Sequence, residues 1–257
     1  MIAYKLDPKH RERADANLKL AFPDWSDAKR HETVKEVFRH FGRMAGDFAR
    51  TPLRTRQELL DSAELDGIEN IEAAVSQGKG VLAVTCHLGN WERFGHIAVA
   101  SGYPLSVVAR DANQSGVQER LQQLREFNGM KVIARGRAMR EILQSLKNKE
   151  VVALLPDQNS GECYVPFFGK PAGTVMGPAI LHLRTGAPLL PAYCLRTGTG
   201  SYRMTVKPPI DTSDCDGDPA AITAKVNLAI ENAVREAPEQ YLWMHDRWKE
   251  ARLNGLL

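Results

Sequence analysis

From about residue 63 to the end, short apolar runs alternate with amphipathic stretches, and no other feature constrains the fold of this chain as tightly. The runs are Val81–Cys86, Leu105–Ala109, Lys131–Ala134, Val151–Leu155, Leu189–Leu195 and Tyr202–Lys207. Between them the periodicity predicts helices at about Trp91–Ser101, Val117–Phe127, Arg137–Lys147, Gly177–Thr185 and Pro219–Ala237. Strand and helix in alternation predict an α/β fold, a central sheet with helices on both faces. The segment Thr197–Ser201 (TGTGS) reads as a hairpin between the last two runs, so the sheet is expected to be mixed and mostly parallel.

Before residue 63 the pattern is helical. Asp7 followed by Pro8 makes a cap and first turn for a basic helix to about Leu20. Ser26 caps a second helix, whose stripe of Val34, Val37, Phe38, Phe41, Met44, Ala45 and Phe48 has helical spacing. The expected organisation is an N-terminal helical extension (1–62) and an α/β domain (63–257), forming one continuous domain. At 257 residues the chain can bury a core without disulfides or metals. Its net charge of +3 does not point to nucleic acid. No window approaches a membrane span, and the charged first thirty residues do not read as a secretory signal. Cys86, Cys163, Cys194 and Cys215 lie far apart, which fits a reducing compartment and excludes a Cys-rich metal site.

In such sheets ligands gather beyond the C-terminal ends of strands. After Val81–Cys86 comes His87-Leu88-Gly89-Asn90-Trp91-Glu92. Gly89 permits a tight turn, Asn90 is a good N-cap, and Glu92 falls in the first helical turn, where the dipole favours a carboxylate. Five residues along one helix rotate by roughly 500°, leaving side chains about 140° apart. His87 and Glu92 therefore meet only if His87 precedes the helix and turns back over its start. A His held by a carboxylate is a general-base arrangement; the alternative is a surface His and an unrelated Glu. Arg110 and Asn113 follow the second run, and Pro156-Asp157-Gln158-Asn159 the fourth, where Asp157 serves either a site or an ordinary turn.

Some patterns carry no chemistry. Gly78-Lys79-Gly80 precedes a strand and lacks the phosphate-loop spacing. His87 and His96 have no zinc-ligand spacing. Residues 165–191 read as an apolar loop (Val165–Phe168), a flexible turn (Gly169–Gly173) and Thr174 before a helix, either a site-shaping segment or a buried crossover. Pro238–Lys249 is rich in aromatics, and its Arg247 either closes the fold or binds phosphate.

The segments NLKLAFPDWS (17–26), GKGVLAVTCHLGNWE (78–92), LLPDQNSGECYVPFFGKPAGT (154–174), RTGAPLLPAY (184–193) and PEQYLWMHDRWK (238–249) together resemble the lipid A biosynthesis acyltransferase family, the late lauroyl/myristoyl-type enzymes of the lysophospholipid and glycerophosphate acyltransferase superfamily. The resemblance implies transfer of a fatty acyl chain from an acyl thioester, on acyl carrier protein or coenzyme A, to a hydroxyl of a membrane glycolipid, with a lipid A precursor as acceptor. It implies no metal and no cofactor. By motif match His87 is the general base and Glu92 its partner, while Arg110, Asp157, Thr174 and Arg247 bind substrate. It also implies a place at the cytoplasmic face of the bacterial inner membrane. Family members usually begin with an apolar anchor helix, so this chain is expected either to lack that helix or to bind peripherally through its basic N-terminal helix (Lys9, His10, Arg11, Arg13, Lys19, beside Leu18, Leu20 and Phe22).

On this reading Arg110, or backbone N–H groups near Gly89, steady the oxyanion. A groove near Phe167 and Phe168 holds the acyl chain, and Cys86 is structural. Competing readings are an acyltransferase for a phosphatidylinositol mannoside or lysophospholipid, and a non-catalytic lipid-binding protein of the same fold. A metal-dependent phosphoesterase is disfavoured, because the strand ends lack clustered Asp and His.

Overall fold

The computed structural model describes residues 2–109, 116–134 and 138–257. It opens with α1 (Ile2–Leu6), α2 (Pro8–Ala21) and α3 (Asp27–Ala49). Asp7 caps α2 by accepting the His10 N–H, and Ser26 caps α3 by accepting the Lys29 N–H, both where the cap residues predict. A short α4 (Arg56–Asp61) follows, its first turn closed by reciprocal bonds between Thr55 and Glu58.

The remaining chain runs β1 (Ala63–Asp66), α5 (Glu69–Ser76), β2 (Val81–Val84), α6 (Trp91–Ala100), β3 (Leu105–Ala109), α7 (Gly116–Glu126), β4 (Lys131–Ala134), α8 (Ala138–Lys147), β5 (Val151–Leu154), β6 (Cys163–Phe167), β7 (Lys170–Thr174), α9 (Gly177–Thr185), β8 (Leu189–Arg196), β9 (Tyr202–Val206), α10 (Pro219–Glu236) and α11 (Lys249–Leu253). The main sheet has the order β1-β9-β8-β2-β5-β3-β4. Strands β8, β2, β5, β3 and β4 are parallel, β9 is antiparallel to β8, and β1 runs parallel to β9. The sheet is thus mixed and mostly parallel, with the expected β8–β9 hairpin.

Its two faces follow from the two-residue period of a strand. Val81 and Ala83 of β2 pack with Ile71 of α5 and with Phe94 and Ile97 of α6. Leu82 and Val84 join the opposite core with Ile142 and Leu146 of α8, Leu181 of α9 and Val226 and Ile230 of α10. Because both faces are covered, β2 is apolar throughout rather than alternating. Ala14 and Leu18 of α2 and Val34, Val37 and Phe38 of α3 belong to that second core, so the N-terminal helices pack on the sheet domain.

Residues 163–174 correct the loop reading. They form an antiparallel hairpin that pairs Val165 with Ala172. Its turn places Phe168 at φ 51°, a backbone conformation uncommon for a bulky residue. The Glu231 carboxylate of α10 accepts the Phe168 N–H, and the Arg235 guanidinium lies 4.6 Å from the Phe168 ring centroid. Phe167 and Phe168 are buried among Phe22, Trp243 and Trp248, so they build the core and line no acyl groove.

Candidate active site

Strands β2 and β5 are neighbours, with Val84 paired to Leu154, so His87 and Asp157 leave the sheet at the same edge. The chain beyond β2 turns at Gly89, φ +60°, where an added Cβ would lie 2.1 Å from the Cys194 carbonyl oxygen. Glycine is required there by conformation and by space. The turn is fastened on several sides. Gly89 N–H donates to the Gln240 carbonyl (3.0 Å), Asn90 N–H to the Cys194 carbonyl (2.7 Å) and Leu242 N–H to the His87 carbonyl (3.0 Å). His40 of α3 donates from Nε2 to the Gly89 carbonyl at 2.9 Å. Burial pushes the His40 imidazole down to about 4, so it is neutral at pH 7 and serves as a fixed donor. Asn90 caps α6 by accepting the Arg93 N–H, as expected.

His87 faces Asp157. Its Nδ1 lies 2.8 Å from Asp157 Oδ1, and its backbone N–H donates to Oδ2, also at 2.8 Å. A carboxylate can only accept, so Nδ1 carries a proton, and in the neutral imidazole Nε2 keeps its lone pair. Asp157 is 3% exposed. Burial alone would push the His87 imidazole down, but the charge and hydrogen bond of Asp157 outweigh it, and the pKa stands above the ordinary histidine value. Burial likewise acts to raise Asp157, yet the charge of His87, its two hydrogen bonds and the nearby Arg247 cation hold the carboxyl below its usual range. The Trp91 ring stands edge-on to the imidazole, with centroids 4.8 Å apart.

Glu92, expected to hold His87, has another partner. Its carboxylate is gripped by Arg125 of α7 through Nε (3.1 and 3.0 Å) and Nη2 (2.6 Å). The first-turn position of Glu92 points it toward α7, while the turn at Gly89 sends His87 toward β5. His96 and Asn128 make a second clasp between α6 and the turn after α7, Nδ1 to Oδ1 at 2.7 Å. Sequence reasoning overlooked Arg125, though a signal existed. It stands four residues after Leu121 and beside Leu124, a cation at a stripe position of an otherwise amphipathic helix.

A cavity of about 620 Å³ opens beside His87, within the usual size range of small-molecule sites. It reaches both faces of the sheet. On the α6–α7 side Phe94, Gly95, Leu105, Val107, Leu121 and Met130 line it, and on the α8–α9 side Val108, Met139, Ile142, Leu154, Val175 and Leu181 do. Glu92 and Arg125 also sit in its wall.

The other expected residues fall elsewhere. Arg110 lies outside the described residues. Thr174 and Arg247 do not line the cavity; they form a sealed cluster. Arg247 is 2% exposed and donates to the Gly173 carbonyl (2.5 Å) and to Thr174 Oγ1 (2.7 Å), with its guanidinium 5.2 Å from the Phe167 ring centroid. A guanidinium bonded in this way ties the β6–β7 hairpin to the C-terminal segment, so the structure places both residues, expected to bind substrate, away from the cavity. Gly89 N–H is likewise spent on Gln240, so it is no oxyanion donor here. Cys86 is buried and its thiol pushed far above its ordinary value by that burial, which makes it a poor nucleophile.

Comparison with known proteins matches these features to one family. Residues 1–250 match the bacterial lipid A biosynthesis acyltransferases. A lipid A biosynthesis acyltransferase of Haemophilus influenzae is 28% identical over 242 residues, 92% of this chain and 74% of that protein. The lipid A biosynthesis palmitoleoyltransferase of Escherichia coli is 29% identical over 247 residues, 94% of this chain and 79% of that protein. A phosphatidylinositol mannoside acyltransferase of Mycobacterium tuberculosis is 28% identical over 216 residues, covering 81% of this chain and 67% of its own length. With a histidine–carboxylate pair at the mouth of an apolar cavity and a family match along nearly its whole length, the chain belongs to the bacterial lipid A biosynthesis acyltransferase family and is an acyltransferase.

Proposed function

We propose that the protein transfers a fatty acyl chain from an acyl thioester, carried on acyl carrier protein or coenzyme A, to a hydroxyl of a membrane glycolipid, a lipid A precursor. The observation that carries this reading is His87, its Nδ1 committed to buried Asp157, at the mouth of the apolar cavity. As the acceptor oxygen attacks the thioester carbonyl carbon, His87 Nε2 takes the hydroxyl proton. The C–O bond forms and the carbonyl electron pair moves to oxygen. On collapse the C–S bond breaks, and the imidazolium gives its proton to the departing thiolate. Asp157 holds the tautomer and steadies the imidazolium; such base catalysis contributes ~10²–10⁴ in rate. Arg125, fixed by Glu92 in the cavity wall, supplies positive charge toward the oxyanion. Arg110 is assigned to substrate binding on the family resemblance.

The α6–α7 lobe takes the donor acyl chain, and the α8–α9 lobe takes an apolar part of the lipid acceptor. The names of the Haemophilus and Escherichia relatives favour a lipid A precursor, whereas likeness to the mycobacterial protein favours a phosphatidylinositol mannoside as a second reading. The site of action is the cytoplasmic face of the inner membrane. Among the described residues no helix is long and apolar enough to cross a bilayer. Leu18 is buried and Phe22 stacks on Trp25, so α2 spends its apolar side on the domain. Membrane contact then falls to the exposed Ile2 and Leu6 of α1 and to Lys9 and Lys19, and it is expected to require anionic lipid. Mass spectrometry of glycolipid from a host lacking its own late acyltransferases tests the function. One added acyl group with the native protein, and none with His87→Ala, is the expected result.

A further inference from the structure

We propose that the contact between Gly95 and Met130 forms the floor of the α6–α7 lobe and sets the length of acyl chain that the protein accepts. The proposal rests on the reading of this lobe as the donor-acyl site.

Strand direction fixes which end is the floor. His87 and Asp157 follow the C-terminal ends of β2 and β5, and Ala109, at the C-terminal end of β3, lines the cavity near that rim. Leu105 begins β3 and Met130 immediately precedes β4, and the pairing of Ser106 with Lys131 sets these two residues side by side at the opposite end. From Leu105 to Ala109 the lobe runs about 13 Å along the strand. Helix α6 starts at the catalytic turn and descends the same face, with Trp91 and Glu92 near the mouth and Phe94 and Gly95 deeper.

At the bottom the packing is close. A Cβ on Gly95 would stand 2.4 Å from Met130 Cε and 3.1 Å from its Sδ, with Leu105 Cδ2 at 3.8 Å. The missing Cβ is the room that the thioether occupies. Beyond it, Phe94, Leu105 and Met130 join Ile97 and Ala98 in the solid core of that face. Met130 is flexible and Gly95 is not backed by open space, so a side chain added at 95 forces the thioether toward the lobe, and shortening Met130 deepens the lobe.

The test is binding, which needs no acceptor and no turnover. Dissociation constants of saturated fatty acids of about 8 to 16 carbons are measured by calorimetry below their micellar concentrations, where each methylene buried tightens binding about fourfold until the floor is reached. The length at which the gain stops is the readout. Gly95→Ala, which also favours the helix, is expected to shorten it, and Met130→Ala to lengthen it, each by about two carbons. Met130→Leu, close in volume, and Ile142→Ala, in the other lobe, are expected to leave it unchanged. If native protein binds these acids but the break point stays fixed in both Gly95→Ala and Met130→Ala, or moves in Ile142→Ala instead, the floor is elsewhere and the proposal falls. If native protein binds none of them, the acyl reading of the cavity falls first.

Discussion

Two buried polar clusters lie close to each other in this molecule and are put to opposite ends. His87 and Asp157 pair at the rim of a cavity, and in the neutral form the Nε2 of the histidine carries a free lone pair. Arg247, Thr174 and Asn227 pair behind them, bonded to one another and to the carbonyls of Pro166, Ala172 and Gly173 on the β6–β7 hairpin. Both clusters are reached by the same segment after α10, because Tyr241 and Leu242 touch the turn that follows β2 and Arg247 braces the hairpin. The clusters differ in access. Burial with a ring nitrogen facing a cavity suits a reagent, whereas a buried guanidinium with both Nη groups bonded to the β6–β7 hairpin suits a brace.

The comparison breaks first at the reagent. His87→Ala is expected to lower kcat by about 10²–10⁴, and Asp157→Ala to add little on top of it, because the pair acts as a unit. Steady-state kinetics of the single and double variants check this; additive losses would mean that Asp157 serves something other than His87.

At the brace, Arg247→Lys keeps the charge but loses the planar fork to Gly173 and Thr174. A lost hydrogen-bond network of about 2 kcal/mol predicts a Tm lower by roughly 4–8 °C with acceptor KM unchanged. A raised acceptor KM at unchanged Tm would return Arg247 to the head group.

A smaller effect sharpens the role of Glu92. Glu92→Gln weakens its hold on Arg125, so kcat should fall by about tenfold through a misplaced cation rather than a lost base. Substituting Arg125→Met on top of Glu92→Gln should then cost little more. Independent losses from the two substitutions would separate the residues.

The legibility of the molecule follows the same division. Strands β2 and β5 of the parallel core were readable because each is buried on both faces and therefore uniformly apolar. The caps at Asp7, Ser26 and Asn90 were readable because a cap is a local device. Strand β1, Ala-Glu-Leu-Asp, was not, since it lies at the sheet edge with mostly exposed side chains and borrows its conformation from β9. The β6–β7 hairpin was hidden because Phe168 holds its turn through Glu231, 63 residues away. At the candidate site, the place of His87 beyond a strand end was legible from its position after β2. Its partner was not, because the spacing to Glu92 is local while Asp157 comes into reach through the pairing of β2 with β5. The sealed state of Arg247 is a property of packing, which no motif displays.

The most direct test of the central claim, that Asp157 rather than Glu92 governs His87, is the pH dependence of kcat/KM. A general base must be neutral in the free enzyme, so the rate rises with pH through the His87 pKa. Asp157 holds that pKa above the ordinary histidine value, near 6.5, and the acid limb of the native profile should therefore lie above it. In Asp157→Asn the charge is lost and burial remains, so the limb should move to lower pH. In Glu92→Gln it should move less, since Glu92 raises His87 more weakly and from a distance. A limb that shifts in Glu92→Gln and stays in place in Asp157→Asn would contradict the account.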